Sequence, residues 1–362
     1  MNRAEYELEF PWKSPPEPGS PLELRPGLYW LRMPLPFALD HINLWLLEDQ
    51  IDGQRGFSAI DCGIADDPTR SAWEALFDRA FGGRALLRVI ATHFHPDHLG
   101  LAEWLARGGE RQRWKAPVWM TAAEYEIGRL LCLAGAAEEQ PDSEPQCRFY
   151  EINGVAGEEA ARRARARGPR RYASMVPAVP STYRRILDGE SISIGPADSP
   201  RNFQVLTGFG HAPEHASLMC DGDGILISGD MVLPAISTNI SVYEIEPDAD
   251  PLALYLESLG RLSTLPPDTL VLPSHGLPFF GLHTRIRQLQ QHHRERLDDT
   301  LRACAAPRTA DELLPVLFRR PLDEHQVGFA FGEALAHLHT LWHQGLLGRT
   351  RGSDGIYRFT RV

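Results

Sequence analysis

A short histidine-rich segment is the part of the sequence best suited to chemistry. Residues 92–98 read Thr-His-Phe-His-Pro-Asp-His and directly follow RALLRVIAT, an apolar run with the length of a buried strand. Alternate residues of an extended chain point to one side, so His93, His95 and Asp97 share a face, and His98 can approach from beside it. Imidazole and carboxylate are preferred ligands of Zn²⁺, and catalytic zinc sites leave a position open for water. The segment therefore predicts a catalytic site in which four ligands are divided between two metals.

Three further candidate ligands each come just after an apolar run. His211 follows NFQVLTGFG, Asp230 follows GILISG and His275 follows TLVLPS. Taken singly, each has an ordinary explanation, because a histidine beside a strand is usually structural and an aspartate after Ser-Gly is commonly a turn residue. An α/β active site requires ligands from the ends of several strands to meet at one sheet edge, so the set argues for a metal centre more strongly than its members do.

The elements that must position these ligands alternate along the chain. Short strand-like runs begin at Gly27, and DDPTRSAWEALFDRAFGG is a predicted helix with an acidic start and a glycine end. The alternation predicts an α/β layered domain over 27–286. Its segment 121–187 is helical and then irregular, and it is a candidate lid or pocket wall. Residues 1–26, rich in Pro and Glu, are expected to form a surface tail.

A second unit is predicted over 287–362. LQQHHRERLDDTLRACA is interpreted as a linking helix, and Thr309 with Glu312 forms a capping-box pattern at the start of the next helix. A further amphipathic run, FGEALAHLHTLWHQGLL, precedes a hairpin that turns at Ser-Asp-Gly. Helices followed by a two-stranded ribbon suggest a small winged-helix-like domain.

Composition limits the classes of protein that fit. The chain has 362 residues, of which 43% are apolar and 23% charged, with a formal net charge of −11. These values are typical of a globular protein and argue against a surface built for general nucleic-acid or anionic-membrane binding. Neither a signal peptide nor a membrane-spanning run is expected, and a cytoplasmic location is favoured. The scattered cysteines at 62, 132, 147, 220 and 304 are expected to be free thiols.

Over about 27–286 the sequence resembles the metallo-β-lactamase superfamily, whose fold is an αββα sandwich. The resemblance rests on four motifs, namely His93-x-His95-x-Asp97-His98, GHAPEH with His211, Ser-Gly-Asp230 and Ser-His275-Gly. It implies two zinc ions joined by a bridging carboxylate: His93, His95 and His211 for one, Asp97, His98 and His275 for the other, and Asp230 for both. The same ligands can hold iron or manganese.

The resemblance also implies two supporting residues. Asp61, in AIDCG, matches an early aspartate that usually supports the ligand loop by hydrogen bonding, although a simple turn residue is the alternative. His215, four residues after His211, matches a position that is usually not a ligand, and we expect it to lie behind the ligands.

Hydrolysis is the predicted class of reaction. Two zinc ions sharing a carboxylate hold hydroxide at neutral pH, because zinc lowers the pKa of bound water to about 7. Asp97 is the predicted catalytic residue, since it can orient this nucleophile or accept its proton. True β-lactamases of the superfamily commonly carry Cys at the position of Asp230, so antibiotic hydrolysis is not the expected role. We expect a small-molecule acyl substrate, with a thioester first and a lactone as an alternative.

The arginine-rich segment RRARARGPRR, residues 162–171, leaves a second enzyme class open. It is either a phosphate clamp, for the nucleotide of an acyl-CoA or for RNA, or a solvated surface balanced by Glu158 and Glu159. The first interpretation allows a single-strand endoribonuclease or phosphodiesterase. The C-terminal unit resembles the winged-helix tail of a subgroup that includes thioesterase-like hydrolases and an endoribonuclease-like branch. This unit differs from the helical tail of glyoxalase II. The catalytic part nevertheless resembles the branch of the superfamily that contains thioesterases and glyoxalase II.

The C-terminal unit lacks the basic face that a DNA reader needs, because its predicted recognition helix contains neither Lys nor Arg. This disfavours DNA binding and a metal-binding regulator that acts through the winged helix. Formation of a homodimer or shaping of the substrate entrance is favoured instead. Four residues are candidate substrate contacts, with turn or strand-capping roles as alternatives: His41, Asn43, Asn239 and Tyr243.

Overall fold

Two β-sheets pack face to face and carry helices on their outer sides in the computed structural model, which describes residues 7–137 and 144–362. The first sheet has seven strands in chain order: β1 (Leu22–Arg25), β2 (Leu28–Pro34), β3 (His41–Ile51), β4 (Gln54–Ile60), β5 (Ala85–Ile90), β6 (Val118–Met120) and β7 (Arg184–Arg185). Strands β1 to β4 pair antiparallel, and β4 to β7 pair parallel.

The second sheet has five strands. They are β8 (Ser191–Ile194), β9 (Arg201–Gly208), β10 (His215–Cys220), β11 (Ile225–Gly229) and β12 (Leu270–Pro273), in the order β12-β11-β10-β9-β8. The pair β11–β12 is parallel, whereas the other neighbours are antiparallel. Strands β9, β11 and β12 therefore run in the same direction and end at the same edge of the sheet.

The side chains of strand β3 show how the layers form. Trp45 and Leu47 point between the sheets, while Leu44 and Leu46 point outward under the helices. Such alternation is the period-2 pattern of a strand buried on both faces. The predicted αββα sandwich is therefore confirmed, and a small C-terminal unit of helices and a two-stranded sheet follows it.

Helices cover both outer faces of the sandwich. They are α1 (Asp67–Arg79), α2 (Pro96–Leu99), α3 (Ala102–Ala106), α4 (Ala122–Ala136), α5 (Glu144–Ile152), α6 (Gly157–Arg167), α7 (Pro169–Met175), α8 (Pro251–Leu262), α9 (Leu282–Ala303), α10 (Ala310–Leu317) and α11 (Glu324–His343). Helix α1 begins as predicted, because the Asp66 carboxylate accepts a hydrogen bond from the Thr69 N–H. Helix α3 is shorter than the LGLAEWLARGG pattern predicted.

The C-terminal unit shares its core with the outer face of the second sheet. Thr309 and Glu312 form the predicted capping box of α10, and β13 (Leu347–Arg351) pairs with β14 (Tyr357–Arg361) as the predicted hairpin. Phe331 of α11 and Phe359 of β14 belong to the same buried cluster as residues of α8 and α9. The unit is therefore packed as part of one helical layer.

Part of the predicted tail is ordered within the sandwich. Strand β1 lies inside the segment 1–26 and pairs with β2, and Glu9 forms an isolated bridge with Phe280. The prediction that strands start at Gly27 was therefore too late. Residues 1–6 of the tail lie outside the described residues. Among the helices of the described ranges, none has both the length and the apolar character needed to cross a membrane.

Candidate metal centre

Four strand ends deliver the predicted ligands to one cleft. Strand β5 ends at Ile90, and the chain continues through the histidine segment into the short helix α2. His211 follows β9, Asp230 directly follows β11 and His275 follows β12, the three strands of the second sheet that share a direction. The sheet topology thus explains why residues far apart in the sequence meet.

The seven predicted ligands lie together in what we term the cleft cluster: His93, His95, Asp97, His98, His211, Asp230 and His275. One possible ligand atom from each of His93, His95, His211 and Asp230 lies within 4.8 Å of the others. Atoms of Asp97, His98 and His275 form a second group with the same limit. The cluster therefore divides into two groups, as two metal ions require.

Asp230 lies between the two groups. Its Oδ2 is 3.4 Å from His211 Nε2, in the first group. Its Oδ1 is 3.6 Å from His98 Nε2 and 3.5 Å from His275 Nε2, in the second group. A carboxylate whose oxygens face different groups has the arrangement of a bridging ligand.

Two atoms of the cleft cluster test whether metal ions fit. His98 Nε2 and Asp230 Oδ1 are buried and have no hydrogen-bond partner. Buried polar atoms are nearly always paired, so atoms left without a partner require a reason. Imidazole nitrogens and carboxylate oxygens directed at a common point satisfy the requirements of zinc, iron or manganese. The residues present therefore fit a dinuclear metal centre.

The ring nitrogens that face away from the centre are held by oxygen atoms. His98 Nδ1 is 2.8 Å from the Asp61 carboxylate, and His93 Nδ1 is 3.0 Å from the Thr92 hydroxyl. His211 Nδ1 and His275 Nδ1 each lie 2.8 Å from a backbone carbonyl, those of Asn239 and His41. Such contacts fix the orientation of a ring and leave its Nε2 for the metal.

Asp61 and His215 lie directly behind the cleft cluster. Asp61 has a φ of 63° and also accepts hydrogen bonds from the Thr92 backbone at 2.7 Å and hydroxyl at 3.0 Å. His215 Nε2 accepts a hydrogen bond from the Asp230 N–H at 3.1 Å. Burial lowers the pKa of His215 to about 3, which keeps that nitrogen an acceptor. A Cβ at Gly229 would lie 2.3 Å from the same nitrogen, so this position requires glycine.

The electrostatics differ between the two groups of the cleft cluster. Burial lowers the pKa of both His93 and His95 well below the ordinary value, and neighbouring imidazoles add to the effect on His93. Burial alone would raise the pKa of Asp97, but the charges of His98 and His275 outweigh it and lower the pKa to about 2. His93 and His95 are therefore neutral, and Asp97 is ionised. Against the effect of burial, neighbouring carboxylates raise the pKa of His98 well above its ordinary value and that of His275 to about 10, so metal binding in the second group would displace those protons.

Glu124 is a supporting residue that the sequence analysis missed. This fully buried residue of α4 accepts hydrogen bonds from the Phe94 N–H at 2.9 Å and the Glu214 N–H at 2.6 Å. It therefore connects the two loops that carry His95 and His211. Burial raises the pKa of Glu124 to about 8. Its only signal in the sequence is an acidic residue on the apolar side of a helix.

Two of the predicted substrate contacts support the loop of His275. Asn43 is fully buried and donates to the carbonyls of Pro273 and Gly276, both at 2.9 Å, and accepts from Trp30 at 2.8 Å. His41 Nε2 accepts a hydrogen bond from the Gly276 N–H at 2.9 Å. Both side chains therefore hold the His275 loop, and their contact with substrate remains a prediction.

The other two candidates lie in the loop after Asp230. The Asn239 side chain donates to the Phe329 carbonyl of α11 at 3.4 Å and accepts from the Ser241 hydroxyl at 2.8 Å. Tyr243 is half-buried, and the Arg167 guanidinium lies 5.9 Å from the centre of its ring. Asn239 therefore connects the His211 support to the C-terminal unit.

The fold and the site together define a metal-dependent hydrolase. Residues 60–275 match the profile of the metallo-beta-lactamase superfamily, and residues 297–362 match the metallo-beta-lactamase-like C-terminal domain. The chain therefore belongs to the metallo-beta-lactamase superfamily. The predicted boundaries at 27–286 and 287–362 remain a prediction.

Known proteins resemble the chain over most of its length. A beta-lactamase domain protein from Burkholderia ambifaria is 50% identical, with a TM-score of 0.89, covering 100% of this chain and 99% of its own. A metallo-beta-lactamase family protein from Thermus thermophilus is 29% identical, with a TM-score of 0.75, covering 94% of this chain and 100% of its own. The probable metallo-hydrolase YqjP of Bacillus subtilis (strain 168) is 26% identical over 324 residues, 86% of this chain and 91% of that protein.

Proposed function

We propose that the protein is a two-zinc hydrolase of small acyl compounds and that its preferred substrate is a thioester. The observation that carries the proposal is the Asp230 carboxylate, whose oxygens face both groups of the cleft cluster. Metal ions bound there would supply a water of lowered pKa and polarise the substrate carbonyl. Within the superfamily we assign the chain to the thioesterase and glyoxalase II-like branch, with a winged-helix-like tail.

Asp97 is our candidate for the proton acceptor. Its Oδ2 lies 3.4 Å from His275 Nε2 and 3.6 Å from His98 Nε2. The side chain of Asp97 retains 19% exposure, whereas that of His98 is fully buried. A carboxylate at the border between ligands and cleft can reach both the nucleophile and a leaving group.

The contacts of the arginine-rich segment favour a small substrate over RNA. Both Arg162 and Arg163 contact the Glu159 carboxylate, and Arg163 also contacts Asp311 of α10. The charges of these two of the six arginines are therefore largely neutralised within the protein, which disfavours a phosphate clamp that uses the whole segment. Glu159 thus pairs with two of the arginines whose charge it was expected to balance.

Arg167 offers a single cation beside aromatic rings. Its guanidinium lies 4.4 Å from the centre of the Phe329 ring and 5.9 Å from that of Tyr243. One cation over an apolar wall suits an acyl compound with a single acidic group, including the phosphate of an acyl-CoA. We therefore propose that Arg167 and Tyr243 contact the substrate.

The contacts of α11 support a role for the C-terminal unit at the substrate entrance. Phe329 accepts the hydrogen bond from Asn239, and a Cβ at Gly332 would lie 2.4 Å from Ser241 Oγ. The unit thus packs closely on the loop that lines the cleft. We favour this role over DNA binding, and a homodimer remains compatible with it.

The test is hydrolysis of a panel containing thioesters, lactones, phosphodiesters and short RNA, with the protein loaded with zinc and again after chelation. We expect thioester cleavage that chelator abolishes and zinc restores. Arg167→Gln should raise KM for thioesters with an acidic group and leave KM for neutral thioesters unchanged, and Arg185→Gln is an exposed control. Cleavage of RNA but not of any acyl compound would overturn the proposal in favour of the endoribonuclease.

A further inference from the structure

A second group of buried ligand-type side chains lies between α9 and α11. We define the helix cluster as His292 and His293 of α9 and Glu333 of α11. One possible ligand atom from each lies within 4.8 Å of the other two. His293 is fully buried, and the other two are half-buried. Packing of the two helices therefore assembles a set of two imidazoles and one carboxylate.

Hydrogen bonds determine which nitrogen of His293 carries the proton. His337 Nδ1 lies 2.7 Å from the Glu333 carbonyl, which can only accept, so the His337 Nδ1–H donates to it. In a neutral His337 ring that donates from Nδ1, Nε2 carries no proton and can only accept. His293 Nδ1, 3.3 Å away, must therefore donate to His337 Nε2. In the neutral His293 ring, Nε2 therefore carries a lone pair and no proton.

This lone pair is buried without a partner, and so is His292 Nε2. Two unpaired imidazole nitrogens beside one carboxylate are what a metal ion would satisfy. Hydrogen bonds run from His293 through His337 to a backbone carbonyl. Hydrogen bonds of this kind orient ligand imidazoles in metalloproteins.

The surroundings of the helix cluster are compatible with a cation. A surface cavity of about 340 Å³ opens beside His292, and its charged lining residues are Glu7, Glu295 and Arg287. Arg296, one turn further along α9, directs its guanidinium to the Asp299 carboxylate at 2.8 Å and the Leu317 carbonyl at 3.1 Å. A cavity therefore leads from solvent to His292. Arg296 shares the Asp299 carboxylate with Arg302, so its charge is balanced only in part.

We propose that the helix cluster is a second metal site, separate from the cleft cluster, that binds one transition-metal ion through His292, His293 and Glu333. Two imidazoles with one carboxylate suit Zn²⁺ or Ni²⁺ better than the oxygen-preferring Mg²⁺ or Ca²⁺. The ion would join α9 to α11. Both helices also hold the loop after Asp230. Arg285 of α9 donates to the carbonyls of Leu233 and Ile236, and the Phe329 carbonyl of α11 accepts from Asn239.

The experiment counts zinc ions on the full-length protein by native mass spectrometry during titration, after the cleft cluster has been loaded. Glu333→Gln removes the anionic ligand, and His292→Ala removes a half-buried one. Glu333→Gln is isosteric, so the packing between α9 and α11 should change little. Glu257→Gln, the same change on an exposed residue of α8, is the matched control.

We expect a third equivalent of zinc on the wild type and on Glu257→Gln. In Glu333→Gln and His292→Ala its affinity should fall at least about 100-fold, since loss of a supporting contact alone costs about 10–100-fold. Zinc beyond two equivalents should also raise the melting temperature of the wild type but not of Glu333→Gln. A wild type that stops at two equivalents, or a third equivalent that persists in either variant, would overturn the proposal. Because the readout is metal count, it is independent of whether the protein cleaves thioesters.

Discussion

The cleft cluster and the helix cluster contain the same kinds of side chain in opposite settings. The cleft cluster lies on loops after strand ends, and oxygen atoms of Thr92, Asp61, Asn239 and His41 hold four of its rings. The helix cluster lies within two helices, and an imidazole, that of His337, holds its buried ring.

The difference shows what chemistry requires beyond ligands. Loops at a sheet edge allow residues from distant parts of the chain to converge while one side stays open to substrate. Side chains of two packed helices enclose a small space between them. An ion can bind in such a space, but a substrate has little room. We therefore expect the two clusters to respond differently to substitution.

The largest expected effect is loss of hydrolysis on removing the carboxylate at the open side of the cleft. Asp97→Ala should lower kcat/KM by about 10³-fold or more, because both a metal ligand and the proton acceptor are removed. Asp198→Ala, which changes an exposed carboxylate between β8 and β9, should leave the rate unchanged. An active Asp97→Ala enzyme would show that the cleft cluster does not perform the reaction as proposed.

A supporting oxygen should matter for metal affinity more than for folding. In Asp61→Asn the His98 ring loses its charged acceptor, so metal affinity should fall about 10–100-fold in a chelator competition. Asp49→Asn changes another buried aspartate, which pairs with Arg88. It should lower the free energy of unfolding by about 3 kcal/mol and leave metal affinity unchanged. Equal losses of affinity in the two variants would indicate general destabilisation.

A smaller effect is expected where the C-terminal unit contacts the cleft. In Gly332→Ala the new Cβ would lie 2.4 Å from Ser241 Oγ. The loop must therefore move, and its Asn239 carbonyl would move away from His211 Nδ1. We expect a loss of metal affinity of about tenfold. Gly260→Ala, in α8, meets no atom within 4 Å and should stabilise the protein by about 0.5–1 kcal/mol. Unchanged metal affinity in Gly332→Ala would show that the C-terminal unit does not influence the cleft cluster.

The smallest expected effect concerns a histidine outside both clusters. Burial lowers the pKa of His339 to about 4, whereas its ordinary value is 6.5. Between these values the unfolded chain binds a proton that the folded chain does not, so stability falls as pH decreases from about 6.5 to 4. Urea unfolding of His339→Asn should show a shallower fall than the wild type, and His343→Asn, on the exposed side of α11, should not.

How far the sequence predicted the molecule depended on the range of the contacts involved. The αββα layers and the histidine segment could be predicted because strand alternation and a seven-residue motif are local patterns. His211, Asp230 and His275 were found because each follows an apolar strand, and the resemblance gave their grouping. Strand β1 was missed because Pro and Glu around it are typical of a surface tail.

Residues whose roles depend on tertiary contacts could not be found in this way. Glu124 acts on backbone groups of two loops distant in the sequence, and no spacing rule connects it to them. His292 and His293 look like ordinary helix residues until α11 brings Glu333 beside them. Asn43 and His41 begin a strand, which suggested capping or substrate contact, but their partners come from the distant His275 loop.

The contact between the Asn239 loop and α11 also has a consequence for biosynthesis. When residue 275 has been added to the growing chain, every member of the cleft cluster has been synthesised. At that point the ribosome has not yet synthesised the Phe329 carbonyl and the Gly332 surface, which hold the loop behind His211. Metal affinity depends on such orienting contacts. We therefore expect stable metal loading to be post-translational, so that a nascent chain on the ribosome carries the ligands without yet retaining the ions.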